Sequence, residues 1–152
     1  NNPTASFAFI DFDVTRSFIN DTRFRDDITG DKWYQHNLKL KLHFNVPIQG
    51  LRVVIYTPKR SGTTNSGLAA NSVSWTAILD PTAFNVHLDR YYNPQSNSSE
   101  PKLSYFVNLK SLCQYNSEVD IIDRNNIRVA MIWETNASGD LRFEWDLCVT
   151  NK

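Results

Sequence analysis

The run from His36 to Phe44 (HNLKLKLHF) constrains this chain most: Leu38, Leu40, Leu42 and Phe44 alternate without interruption with Asn37, Lys39, Lys41 and His43. A period of two places successive side chains on opposite faces of a β-strand, here one apolar and one basic and wet. Such a strand needs a second layer over its dry face, so the segment predicts a packed sheet rather than an isolated ribbon.

The same period recurs along the sequence. Ala5 to Val14 (ASFAFIDFDV) reads as a strand that is apolar on both faces at its start, and Leu51 to Tyr56 (LRVVIY) as a more deeply buried, β-branched one. Phe84 to Asn93 (FNVHLDRYYN) reads as a central strand bounded by Asp80-Pro81 and Asn93-Pro94, with Phe84, Val86 and Leu88 on one face and His87 and Asp89 on the other. Leu103 to Leu109 alternates Leu103, Tyr105, Val107 and Leu109 against Ser104, Phe106 and Asn108. Val119 to Ile122, Ile127 to Trp133 and Leu141 to Val149 complete the set, the last with Arg142, Glu144, Asp146 and Cys148 outward. Between these strands lie a long, structured, turn-rich segment from Thr15 to Asp31, with room for a helical turn, and a polar loop from Lys59 to Ser74. Trp75 to Leu79 fits a short helix or a short strand. The count of about eight strands, with long loops and no amphipathic helix, predicts a single all-β domain over residues 1–152. An antiparallel sandwich follows, either a jelly roll or an immunoglobulin-like Greek key.

Nine Phe, six Tyr and four Trp suit strands better than helices. Sixteen basic and sixteen acidic residues cancel, so the chain has no overall field to attract nucleic acid or a membrane, and any such contact must be local. No apolar run approaches the ~18 residues of a membrane helix. Cys113 and Cys148 lack metal-ligand spacing and read as reduced, structural thiols. The sequence holds three sequons, at Asn20, Asn97 and Asn136, as many as its Asn and Ser content produces by chance.

Catalysis is not expected, nor is a cofactor or metal. His36 and His43 are seven residues apart, which on a straight strand puts them on opposite faces and about 20 Å or more from each other. His87 and Asp89 share a face, but no nucleophile motif accompanies them. Asp11 and Asp13 read as a solvated strand end, and Ser61-Gly62 and Ser66-Gly67 lack the Lys-Ser/Thr of a phosphate loop. The local feature that fits nucleic acid is the basic strip of Lys39, Lys41 and His43 with Trp33 and Tyr34 just before it, since cations flanked by stacking aromatics grip single strands without sequence preference.

Three segments, in order, resemble the jelly-roll capsid proteins of small circular single-stranded DNA viruses, the circovirus-like group that encodes a replication initiator. Leu51 to Arg60 (LRVVIYTPKR), followed by a Gly/Thr/Asn-rich loop, is similar to one strand of that family. Phe84 to Tyr92 resembles another, with Asp89-Arg90 in the matching place. Asn125 to Trp133 (NNIRVAMIW) and then Leu141 to Asp146 (LRFEWD) resemble its closing hairpin. The likeness spans roughly residues 35 to 149. It implies an eight-stranded antiparallel jelly-roll sandwich with long loops, and a structural subunit that self-assembles into a small icosahedral shell around circular single-stranded DNA. It further implies an Arg/Lys-rich arm upstream of Asn1 as the main DNA contact, a virion location with assembly in the host nucleus, and a host receptor. In such a shell, apolar and aromatic residues left over from core alternation, with the Asp-Arg pair, are expected at subunit contacts: Phe18, Phe24, Trp75, Asp89, Arg90, Tyr91 and Tyr92. The rival reading is a secreted or cell-surface β-sandwich that binds glycans on Trp33, Tyr34 and Trp75.

Overall fold

The computed structural model describes residues 6–21, 30–59, 68, 78–92, 100–135 and 140–151. Phe24 and Trp75 lie outside these residues. The described residues form an all-β antiparallel sandwich of eight strands and one short helix: β1 (Ser6–Asp13), α1 (Val14–Asn20), β2 (Lys32–Phe44), β3 (Gly50–Pro58), β4 (Phe84–Tyr92), β5 (Lys102–Asn116), β6 (Ile121–Arg124), β7 (Arg128–Thr135) and β8 (Leu141–Asn151). They make two four-stranded sheets of order β1-β7-β3-β4 and β6-β5-β2-β8. Only β3 to β4 and β5 to β6 remain in one sheet; every other consecutive pair of strands changes sheet, giving the rolled, interleaved path of a jelly-roll-type sandwich.

The alternations seen in the sequence build the core between the sheets. Leu38, Leu40, Leu42 and Phe44 of β2 meet Leu51, Val53 and Ile55 of β3 and Ile127, Val129, Met131 and Trp133 around β7. At about 25 cal/mol per Å² of apolar surface, this layer is the main stabilising term. The helix is the element that strand periodicity did not predict. Asp13 caps it by accepting from Arg16 N at 2.9 Å, satisfying one of the orphan donors of the first turn. Val14 and Phe18, one turn apart, are buried in the main core, so Phe18, expected at a subunit contact, is a core residue at 2% exposure.

The first sheet is buried on both faces along its central strands, β3 and β7. Its outer side carries Val54, Tyr56, Ala130 and Ile132 beneath Leu68, with Phe9, Leu79 and Phe84 packed around them. Asp11 and Asp13, expected to be solvated, also lie on this face. They flank Arg128, whose Nε donates to Asp11 Oδ1 at 3.2 Å and whose Nη1 donates to Asp13 Oδ2 at 3.1 Å, with side-chain exposures of 9–13% throughout. The Tyr56 hydroxyl donates to Asp11 at 2.8–2.9 Å and accepts from Leu68 N at 2.9 Å. Burial pushes this phenol well above its ordinary pKa, and the negative charge of Asp11 adds to the shift.

Phe84 to Tyr92 is an edge strand and not a central one. A bulge interrupts it: Leu88 pairs with Ile55 and Val86 with Tyr56, leaving His87 as the extra residue. The bulge separates Val86, which is exposed, from Leu88, which is in the core. It also parts His87 from Asp89: His87 Nε2 bonds Thr57 Oγ1 at 2.8 Å, and Asp89 turns to Arg52.

Truncating one member of a buried ion cluster leaves its partners desolvated. Arg128→Met should therefore cost about 3–5 kcal/mol, read as a lower urea midpoint with an unchanged slope. His87 supplies a second test. Burial lowers its pKa, so the folded state disfavours the proton relative to the unfolded chain. Stability from this site is complete above the unfolded value of about 6.5 and declines as pH falls through it toward the folded value. Urea midpoints should drop as pH falls below about 6.5, and His87→Gln should flatten that slope.

Candidate functional site

The second sheet covers the core with one face and leaves the other open. On β2 this open face carries Tyr34, His36, Lys39, Lys41 and His43, while Trp33 points inward. The cause is a bulge between Gln35 and Asn37 that shifts the register with both neighbouring strands. Before it the odd residues are buried, and after it the even ones. His36 and His43, expected on opposite faces, therefore share the open one.

The bulge is locked from inside. Gln35, with no exposure, accepts from Thr15 Oγ1 at 3.0 Å and donates to Asn125 O at 2.8 Å. Thr15 Oγ1 accepts from Ile127 N at 2.9 Å, and Asn125, at a φ of 58°, donates to Leu112 O at 2.6 Å. Trp33 is correspondingly a core residue at 0% exposure, packed on Phe18 and Tyr115 with ring centroids 5.5 and 6.4 Å away. It cannot stack on a nucleic-acid base or a sugar, so the aromatic contribution expected of it is withdrawn.

Three rows of side chains cross the open face. Phe106, Lys39 and Asp146 form the first, Ser104, Lys41 and Glu144 the second, and Lys102, His43 and Arg142 the third. Cross-strand neighbours on one face lie about 5 Å apart, so the β8 carboxylates offset Lys39 and Lys41. The strip seen along β2 is thus not a basic stripe on the sheet. Cationic character is confined to the third row, where Glu100 Oε1 approaches His43 Nε2 at 3.6 Å. A shallow cavity of about 460 Å³ opens there, lined by Lys41, His43, Lys102, Ser104, Arg142 and Glu144.

Toward the other end, Tyr34 is 41% exposed and tilts against His36 at 6.4 Å between centroids; His36 Nε2 bonds Thr150 Oγ1 at 2.7 Å. Phe106 is 52% exposed midway along the sheet. Phe106, Lys102 and Arg142 were not singled out by the sequence, although the outward parity of Ser104, Phe106 and Asn108 was visible there. What linear order could not supply was their position beside Lys39 and His43. The face can offer two flat rings and a cationic end over about 30 Å of strand.

The residues expected at subunit contacts separate into two groups. Arg52, at 1% exposure, donates from Nε and Nη2 to Asp89 at 2.9 and 2.7 Å, and this carboxylate bond raises the guanidinium pKa. The Asp89 carboxylate is therefore an anchor for Arg52, and Arg90 reaches only the Asp89 carbonyl, donating from Nη1 at 3.4 Å. Tyr91 lies over Arg52, 5.0 Å from guanidinium carbon to ring centroid. Tyr91 and Arg90 remain exposed, whereas Tyr92 packs against the core. Cys113 is a buried free thiol and Cys148 an exposed one. Among the described residues no group of three His, Cys, Asp or Glu is placed to hold a metal ion, and no helix is long and apolar enough to cross a membrane. No protein-family model matches the chain, and neither does a curated protein.

Asp89→Ala would strand the Arg52 guanidinium inside the sheet. Because Asp89 is itself 30% exposed, the expected loss is about 2 kcal/mol, below the range for a fully buried pair. Chemical denaturation measures it.

Proposed function

We propose that the chain is the shell-forming subunit of a small icosahedral capsid enclosing circular single-stranded DNA. The observation that carries this reading is the match of resemblance to architecture. LRVVIYTP lies in β3, FNVHLDRYY is β4, NNIRVAMIW runs into β7 and LRFEWD begins β8, within a two-sheet antiparallel sandwich; β7 and β8 belong to different sheets, so the last two segments do not form the hairpin that the resemblance implies. Segments alike in sequence order fall on strands of the appropriate kind of fold. The balanced charge of the open face is consistent with a wall: a densely packed shell of like-charged subunits would repel itself at every contact. Neutralising the genome then falls to a basic arm ahead of Asn1, with Tyr34, Phe106 and the row of Lys102, His43 and Arg142 as a weaker contact for single strands. Virion location, nuclear assembly and a host receptor belong to the same proposal. The glycan-binding alternative is weakened by the burial of Trp33.

Negative-stain microscopy of the purified chain tests the proposal. Closed particles of uniform size are expected, and a monomer that is retained on sugar columns would overturn it. Protein bearing a basic arm should bind single-stranded DNA with a steep salt dependence, and the chain from Asn1 far less tightly. Phe106→Ala should weaken the residual binding by about tenfold, the value of one stacked base, as read by fluorescence anisotropy.

A further inference from the structure

Four strands form the edges of the two sheets: β1, β4, β6 and β8. Exposed edges attract foreign strands, and proteins blunt them by shortness, bulges, proline or lysine. β6 has four residues, β4 is bulged at His87, and β1 is followed directly by α1 with its Asp11 and Asp13 committed to Arg128. β8 differs. It has eleven residues, no proline and no lysine, and from Leu141 to Leu147 its register with β2 is uninterrupted. Among the described residues β2 is its only hydrogen-bonded neighbour.

The core is also incompletely closed along this edge. Leu141, Phe143 and Trp145 on β8, with Ile10 and Phe12 on β1, are only half-buried although they pack on the main core. Phe12 meets Phe143 edge-on at 5.2 Å and Trp145 at 6.1 Å, so the two edge strands lie one above the other at an apolar seam.

We infer that β8 pairs antiparallel with β8 of a second copy of this chain about a two-fold axis at Phe143, joining two sheets into one of eight strands. This deepens the reading of the chain as a self-associating subunit and rests on it. Parity and charge select the register. Core residues must meet core residues, which excludes every shift by one. Of the axes from Arg142 to Asp146, that at Arg142, Glu144 or Asp146 sets a charge against itself, and that at Trp145 sets Glu144 against Asp146. An axis at Phe143 sets Arg142 against Glu144 of the second copy, twice, and sets Leu141 against Trp145 on the core side. Asp146 then faces Asp140, beyond the start of the strand and exposed to water. The pairing also gives Arg142, which lies opposite His43 in a cationic row, a carboxylate neighbour. An isologous contact of this kind closes as a dimer and presents a self-complementary patch.

Charge exchange tests this without removing apolar surface. At concentrations too low for particles to assemble, sedimentation velocity on the wild-type chain should show a dimer that Glu144→Arg and Arg142→Glu each weaken by about tenfold, since each substitution opposes like charges twice. The double exchange, Arg142→Glu with Glu144→Arg, restores complementarity and should return the dimer to near wild-type affinity. Circular dichroism establishes that each variant is folded. Folded single variants that associate like wild type, or a folded double variant as weak as the singles, would overturn the pairing. Microscopy separates the two readings: particles from Glu144→Arg in undiminished yield would overturn the β8 contact and leave the shell subunit standing, whereas a wild-type chain that never associates overturns both.

Discussion

Arg128 sits between the carboxylates of Asp11 and Asp13 on the outer side of the first sheet, and much of the architecture depends on that arrangement. A sheet covered on both sides cannot leave a charge unpaired, because the desolvation cost of a lone ion far exceeds what one strand contact returns. The cluster therefore couples elements distant in the chain. Arg128 joins β7 to β1. Asp13 also accepts from Asn126 and caps α1, and Asp11 binds Tyr56 of β3. Through Tyr56 the network reaches Leu68 N, fixing the loop residue that seals the second apolar cluster.

The two sheets consequently play different parts. One is enclosed along β3 and β7, with the polar residues there spent on internal satisfaction; Arg52 and Asp89 repeat the theme at the β3-β4 pair. The other keeps a solvent face on which aromatic, cationic and anionic side chains are set out in cross-strand rows. Among the described strands, this is the sheet with a broad face open to solvent. The proposed contact with single strands and the proposed β8 pairing both fall on that second sheet for this reason, one on its face and the other at its margin.

Most strands were legible because each carries a period of two with one apolar parity. The β2 pattern, the buried run of β3 and the outward Arg142, Glu144 and Asp146 appear in the structure as the alternation implies. Two bulges broke the inference elsewhere. A residue added at His36 relative to β8 reverses parity upstream, so Trp33 goes into the core while His36 and His43 come to one face; another at His87 divides Val86 from Leu88. Nothing in a single sequence marks a residue as the one left out of a ladder, since the cause is a distant partner such as Thr15 or Asn125 engaging Gln35. The helix was legible only as room for a helical turn within Thr15 to Asp31, for a related reason. Seven residues hold too few turns for a helical period to emerge, and its anchors are an N-cap and two core contacts.

Local order in the chain was enough to determine an all-β antiparallel sandwich, its approximate strand limits and which leucines form its centre, because side-chain alternation is a property of the backbone itself. Only the tertiary structure decided that Asp11 and Asp13 are buried ion partners, that Asp89 belongs to Arg52, and that the lysines of β2 lie beside the carboxylates of β8. Each of these facts depends on residues brought together from different strands. Charge is a sum over spatial neighbours, and a strip that is basic along one strand becomes balanced once its partner strand is in place.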